Sequence, residues 1–133
     1  MDEKALMHAA QEARKNSYSP YSHFRVGAAI LTKSGKVYTG CNVENASFSA
    51  TNCAERTAIF KAVSEGERDF EALAIVGGRE GETADFCAPC GICRQVIAEF
   101  CAKDFKIILG NETKFKVYTL DELLPLSFSE KDL

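Results

Sequence analysis

Two short cysteine motifs constrain what this chain can fold into: Cys53-Ala54-Glu55 and, further along, Pro89-Cys90-Gly91-Ile92-Cys93. Thiols in separate motifs act together only if the fold brings the motifs to one point. Cys53 opens a segment of helical composition. Cys90 and Cys93 stand three apart, so one helical turn aims both at the same place. The chain is therefore expected to bring two helix N-termini together. Each carries a partial positive charge that favours thiolate over thiol. Three thiolates make a tetrahedral zinc site whose fourth corner stays open to water, and a carboxylate beside that corner can move the water's protons. Cys53, Cys90 and Cys93 are the expected ligands of one zinc per chain, and Glu55 is the expected proton carrier.

Three thiolates around Zn²⁺ leave a net negative charge, which works against acidifying a water unless it is compensated. Arg56 stands three residues after Cys53, on the same helical face, and is the natural donor to the sulfurs; Arg94, next to Cys93, is a second candidate. Two other readings stay open here. Cys87-x-x-Cys90-x-x-Cys93 together with Cys53 would close a four-thiolate structural site, as in a zinc-stabilised binding module with no catalysis. Asn52-Cys53-Ala54-Glu55 also fits a helix capping box with Glu55 as its third residue. Cys41 and Cys101 read as small buried hydrophobes, and His8 and His23 lack metal-type spacing, His8 reading as a solvated helix residue.

With 133 residues the chain suits one domain, residues 1–133, around one core. Its net charge of −3 and the absence of any Lys/Arg stripe argue against a nucleic-acid partner and for a small-molecule substrate. No apolar run reaches membrane-spanning length, and the polar, amphipathic N-terminus lacks a signal-peptide core. A reducing cytoplasm, with thiols free or metal-bound, is the expected location.

Ala5, Leu6, Ala9, Ala10 and Ala13 recur at helical spacing, predicting a helix over 2–16 that breaks at Ser17-Tyr18-Ser19-Pro20-Tyr21-Ser22. Strands are predicted over 24–32 and 37–43, joined as a hairpin by Lys33-Ser34-Gly35-Lys36. A polar loop over 44–52 precedes a helix over 53–65. A short buried strand over 71–76 and a loop over 77–86 follow. Pro89 suits the first turn of a helix running to about Cys101. Strands over 105–109 and 115–119 and a short helix over 119–124 complete the chain. This order predicts a three-layer α/β/α domain on a mixed five-stranded sheet.

Four blocks, in order, resemble the small three-cysteine branch of the cytidine deaminases: Tyr18-Ser19-Pro20-Tyr21-Ser22 with Phe24-Arg25-Val26-Gly27-Ala28-Ala29; Gly40-Cys41-Asn42-Val43-Glu44-Asn45-Ala46; Cys53-Ala54-Glu55-Arg56-Thr57-Ala58; and Pro89-Cys90-Gly91-Ile92-Cys93-Arg94-Gln95. The resemblance implies the cytidine deaminase fold and hydrolysis of cytidine and deoxycytidine to the uracil nucleosides with release of ammonia, in pyrimidine salvage. It implies that Asn42 and Glu44 hold the sugar 3′-hydroxyl, that Phe24 packs on the sugar, and that the Ala54 backbone N–H meets the base carbonyl. It also implies a homotetramer in which Phe128 reaches a neighbouring site and stacks on the pyrimidine. Ala88 stands where Ser or Thr is common, and Phe48 stands at a substrate-side position where Tyr is common, which removes any hydroxyl contact there. A deaminase of a modified or antibiotic aminonucleoside is the other enzymatic reading.

Overall fold

Helix α1 (Glu3–Arg14) starts where the Asp2 carboxylate accepts a hydrogen bond from the Ala5 N–H at 2.8 Å. The computed structural model describes residues 1–82 and 85–133, so the loop expected over 77–86 includes two residues outside that description. Strands β1 (Phe24–Thr32) and β2 (Val37–Cys41) form the expected hairpin, and β3 (Phe70–Arg79) pairs antiparallel on the other side of β1. Strand β4 (Lys106–Gly110) lies parallel to β3, with β5 (Phe115–Thr119) antiparallel at the edge, so the order is β2-β1-β3-β4-β5. The parallel pair needs a long crossover, which contains helix α3 (Gly91–Phe100). Helix α2 (Ala54–Ser64) follows β2, and helix α4 (Leu120–Leu123) is closed by a Thr119–Glu122 capping box.

Alternation along the strands divides the core between the two faces of the sheet. Ala29, Leu31, Ala72, Ala74, Val76 and Ile108 pack with Leu6, Met7 and Ala10 of α1. Ala28, Ile30, Leu73, Ile75, Ile107 and Leu109 pack with Ala58, Ile59 and Ala62 of α2 and Ile97 of α3. The result is the expected three-layer arrangement on a mixed five-stranded sheet. A fully buried aliphatic side chain such as Ile59 or Ile97 contributes about 1.5–3 kcal/mol. The apolar stripes of α2 and α3 thereby fix the positions of both helix N-termini. Gly40 lets α2 approach β2 closely, since a Cβ there would come within 2.5 Å of the Ala58 nitrogen.

The main departures from the sequence reading lie at three boundaries. Strand β2 stops at Cys41 rather than Val43: the Asn42 N–H still donates to Val26 O, but its carbonyl accepts from the Tyr18 N–H, and Val43 bridges to Tyr18 and Asn52 instead of β1. Strand β3 runs on to Arg79 instead of ending at Val76, because β1 supplies partners along its whole length, up to Phe24 opposite Arg79. Pro89 lies before helix α3, not in its first turn: Cys90 is the N-cap, in extended backbone.

Candidate active site

Cys53 is the N-cap residue of α2 and Cys90 that of α3, and neither thiol makes a capping hydrogen bond. Both side chains are thus free to turn to a shared point. The Cys53, Cys90 and Cys93 sulfurs lie within 4.8 Å of one another, with Cys53 Sγ and Cys90 Sγ 3.8 Å apart. No other group of three possible metal ligands occurs among the described residues. Cys87 is not in the cluster. Its side chain packs against Gly77, where a Cβ would come within 2.7 Å of its sulfur, and burial pushes its thiol up to about 12. The four-thiolate reading therefore finds no support in this geometry. Cys41 and Cys101, expected as buried hydrophobes, are only partly buried, and burial raises both thiols, Cys101 to about 12.

Arg56 Nη2 donates to Cys53 Sγ at 3.3 Å, and the Arg56 Nε is buried without a partner. Cys53 is held well below the ordinary thiol range, first by its hydrogen bond with Cys93 and further by Arg56. That same bond, with burial, pushes Cys93 upward. Three thiolates packed this closely would repel one another. A divalent cation relieves most of that conflict, offsetting two of the three negative charges and leaving the remainder to Arg56. Soft thiolate donors in this number suit zinc and leave one coordination position open.

Glu55 is the second residue of α2 and only 3% exposed. Because Cys53 occupies the N-cap, Arg56 rather than Glu55 is the third residue, and the capping box considered from the sequence does not form. Burial pushes the Glu55 carboxyl up to about 7; its own backbone N–H opposes the shift and the Cys53 charge adds to it. Ala54, wholly buried, sits between Cys53 and Glu55. Arg94 does not turn to the sulfurs: its Nε donates to Pro89 O at 2.8 Å and its Nη1 to Leu123 O. It anchors the approach to α3 instead of balancing the site's charge.

A second group assembles where β1 begins and β2 ends. The Asn42 Oδ1 accepts from the Val26 N–H at 2.9 Å and from the Ser17 hydroxyl, and its Nδ2 donates to Phe24 O at 2.8 Å. These backbone partners fix which end of the amide is which, leaving one Nδ2 hydrogen over. Glu44 Oε1 accepts from the N–H groups of Tyr21 and Ser22 at 3.0 and 3.1 Å, and Oε2 accepts from the Ser22 hydroxyl. Phe48 is 74% exposed and meets Tyr21 edge-on, centroids 6.0 Å apart. Tyr21, Ser22, Glu44, Phe48 and Thr51 line a mostly apolar cavity of about 350 Å³. Larger hollows of about 390 and 530 Å³ are lined by none of these residues and none of the three clustered cysteines. Phe24 is partly exposed at the start of β1. Phe128 lies apart from this group, 57% exposed, its carbonyl accepting from Gln95 Nε2 at 2.9 Å. Sequence reasoning gave no individual role to Ser17, Ser22 or Tyr21, which hold Asn42 and Glu44 in place; nothing local in the sequence couples them.

A family model described as the cytidine and deoxycytidylate deaminase zinc-binding region matches residues 1–109. The chain belongs to this family. A cytidine deaminase of Sporosarcina psychrophila is 50% identical over 134 residues, covering 100% of this chain and 96% of the relative. The crystal structure of a cytidine deaminase from Burkholderia pseudomallei superposes with a TM-score of 0.88 at 47% identity, covering 96% of this chain and 100% of that one. A blasticidin-S deaminase of Bacillus cereus is 34% identical over 128 residues, 93% of this chain and 90% of the relative. The family's zinc-binding region and the three-cysteine cluster fit one zinc per chain. Among the described residues no helix is long and apolar enough to cross a membrane.

Proposed function

We propose that this chain is a zinc-dependent cytidine deaminase that converts cytidine and deoxycytidine, plus water, to the uracil nucleosides and ammonia. The observation that carries the reading is a buried carboxyl, Glu55, next to three clustered thiols that have no fourth protein ligand among the described residues. Cys53, Cys90 and Cys93 would hold the zinc, which when bound acts as a Lewis acid and lowers the pKa of its water. Arg56 offsets the negative charge of the sulfurs.

Glu55 takes a proton from the attacking water and delivers it to N3 of the pyrimidine, which makes C4 electrophilic. The water oxygen adds to C4. Glu55 then moves the remaining proton of the added hydroxyl to the exocyclic amino group, and the C4–N bond breaks as the C4 carbonyl forms, releasing ammonia. A carboxyl poised near neutrality serves as base and acid in turn. The Ala54 N–H binds the base carbonyl, and Phe24 and Phe48 pack against the nucleoside. Asn42 contributes one donor and Glu44 an acceptor, and together they complement a sugar hydroxyl, which both accepts and donates. An ionised Glu44 repels a phosphate at that oxygen, so a free nucleoside fits where a nucleotide or polynucleotide does not.

The single domain works in the cytoplasm as a homotetramer, Phe128 stacking on the pyrimidine in a neighbouring site. Its absence from its own chain's sugar-side cavity supports this. The likeness to blasticidin-S deaminase favours one second reading, an antibiotic aminonucleoside as substrate; the Asn42–Glu44 pair, suited to an ordinary sugar, argues for cytidine. The test is ammonia release from cytidine, deoxycytidine and blasticidin S by the zinc-loaded protein, with single-stranded RNA as competitor. Turnover of the two pyrimidine nucleosides, unaffected by RNA, is expected; turnover of blasticidin S alone, or of none, contradicts the reading.

A further inference from the structure

Ser22 stands between the two residues assigned to the sugar. Its hydroxyl donates to Glu44 Oε2, and its oxygen accepts from the Phe24 N–H at 3.0 Å. Because the Phe24 N–H can only donate, the serine's own hydrogen is left for the carboxylate. His23, between them, has φ of 58°, in the left-handed region that few side chains adopt. That turn folds Phe24 N back onto the serine oxygen. The His23 N–H donates to Ser19 O at 3.0 Å and its carbonyl accepts from Glu80 N at 2.7 Å, so the bend is held from both sides. Glu44 lies on the stretch leaving β2, Ser22 on the stretch entering β1, and no strand pairing joins these two residues.

We infer that Ser22 is a positioning residue for sugar recognition, one hydroxyl fixing both the Glu44 carboxylate and the Phe24 backbone so that the site selects a nucleoside with a free 3′-hydroxyl. This rests on the cytidine deaminase reading and goes beyond it by naming what orients its sugar contacts. Three donors, the Tyr21 and Ser22 N–H groups and the Ser22 hydroxyl, converge on Glu44. Together they occupy both lone pairs of Oε1 and one of Oε2, leaving the other Oε2 lone pair to the sugar. Ser22 is also the largest influence holding Glu44 below the usual carboxylate range, so the group stays an acceptor. Removing the hydroxyl keeps the carboxylate but frees it to rotate, which weakens binding without touching the chemistry at C4.

The experiment compares wild type, Ser22→Ala and Ser22→Thr on cytidine and 3′-deoxycytidine. Loss of one hydrogen bond to a charged group predicts a rise of about tenfold in KM for cytidine in Ser22→Ala. With chemistry untouched, kcat stays within about twofold. The preference for cytidine over 3′-deoxycytidine shrinks by the same factor, and Ser22→Thr, which keeps a hydroxyl, restores it. An unchanged preference in Ser22→Ala, or an equal loss of kcat on both nucleosides, overturns the inference. Should Ser22→Ala lose its cooperative melting transition, Ser22→Cys, similar in size and a weak donor, gives the same readout. A wild-type chain inert on both nucleosides overturns the functional reading, and the inference with it.

Discussion

Arg56 reaches Cys53 Sγ from one helical turn further along α2, and its Nε stays buried without a partner. A buried guanidinium N–H with no acceptor is costly unless anionic charge sits beside it. In the zinc-loaded site the three sulfurs supply that charge. Arg56→Ala is expected to weaken zinc retention or activity by about 10–100-fold, read by metal analysis after dialysis against a chelator and by cytidine turnover. Unchanged retention and turnover would mean that the charge is balanced elsewhere. The Arg56–Cys53 contact was legible in the sequence because a spacing of three on a helix is a geometric statement. The second candidate, Arg94, was suggested by adjacency alone, and adjacent residues on a helix point to different sides; it bonds Pro89 O and Leu123 O instead. The positions of Ser17 and Ser22 were not legible, because their partners, Asn42 and Glu44, become neighbours only when β1 and β2 come together.

Both cysteine motifs sit at helix starts, and the structure shows why that matters. An N-cap side chain usually bonds the helix's own free N–H groups. Here the N-cap residues Cys53 and Cys90 make no such bond, so their thiols remain available to a third partner. The helices themselves were readable from their apolar stripes, whereas their first residues were less so. Pro89 was placed inside α3 because proline favours the first turn, yet the extended backbone of Cys90 puts it just outside. Strand β3 was taken as too short for a related reason. Gly77 and Gly78 read locally as loop, but β1 pairs with both, and Gly77 is where Cys87 packs. With Cys87 thus occupied, Cys87→Ala is expected to keep one zinc per chain by metal analysis. Loss of the metal would revive the closed four-sulfur site.

At the scale of the molecule, the sequence read as five strands and three main helices, and these are the main elements observed among the described residues. The strand order β2-β1-β3-β4-β5 was not legible, since pairing is decided by contacts distant in the chain. The layering brings α2 and α3 to the same face of the sheet, and so brings the two motifs to one point. The proposed tetramer makes its own prediction. If Phe128 serves a neighbouring site, Phe128→Ala lowers cytidine turnover. Reassembling it with inactive Glu55→Gln chains recovers activity, because intact Phe128 side chains then reach intact Glu55 sites. No recovery in mixed oligomers, with mixing verified by mass, would place Phe128 outside the site. The central claim is that three sulfurs leave a corner open and that Glu55 moves protons beside it. Its most direct test is the Glu55→Gln protein, assayed for bound zinc and for cytidine turnover in the same sample. One zinc per chain with kcat lowered by roughly 10²–10⁴-fold is predicted; turnover near wild type with zinc in place would contradict the account.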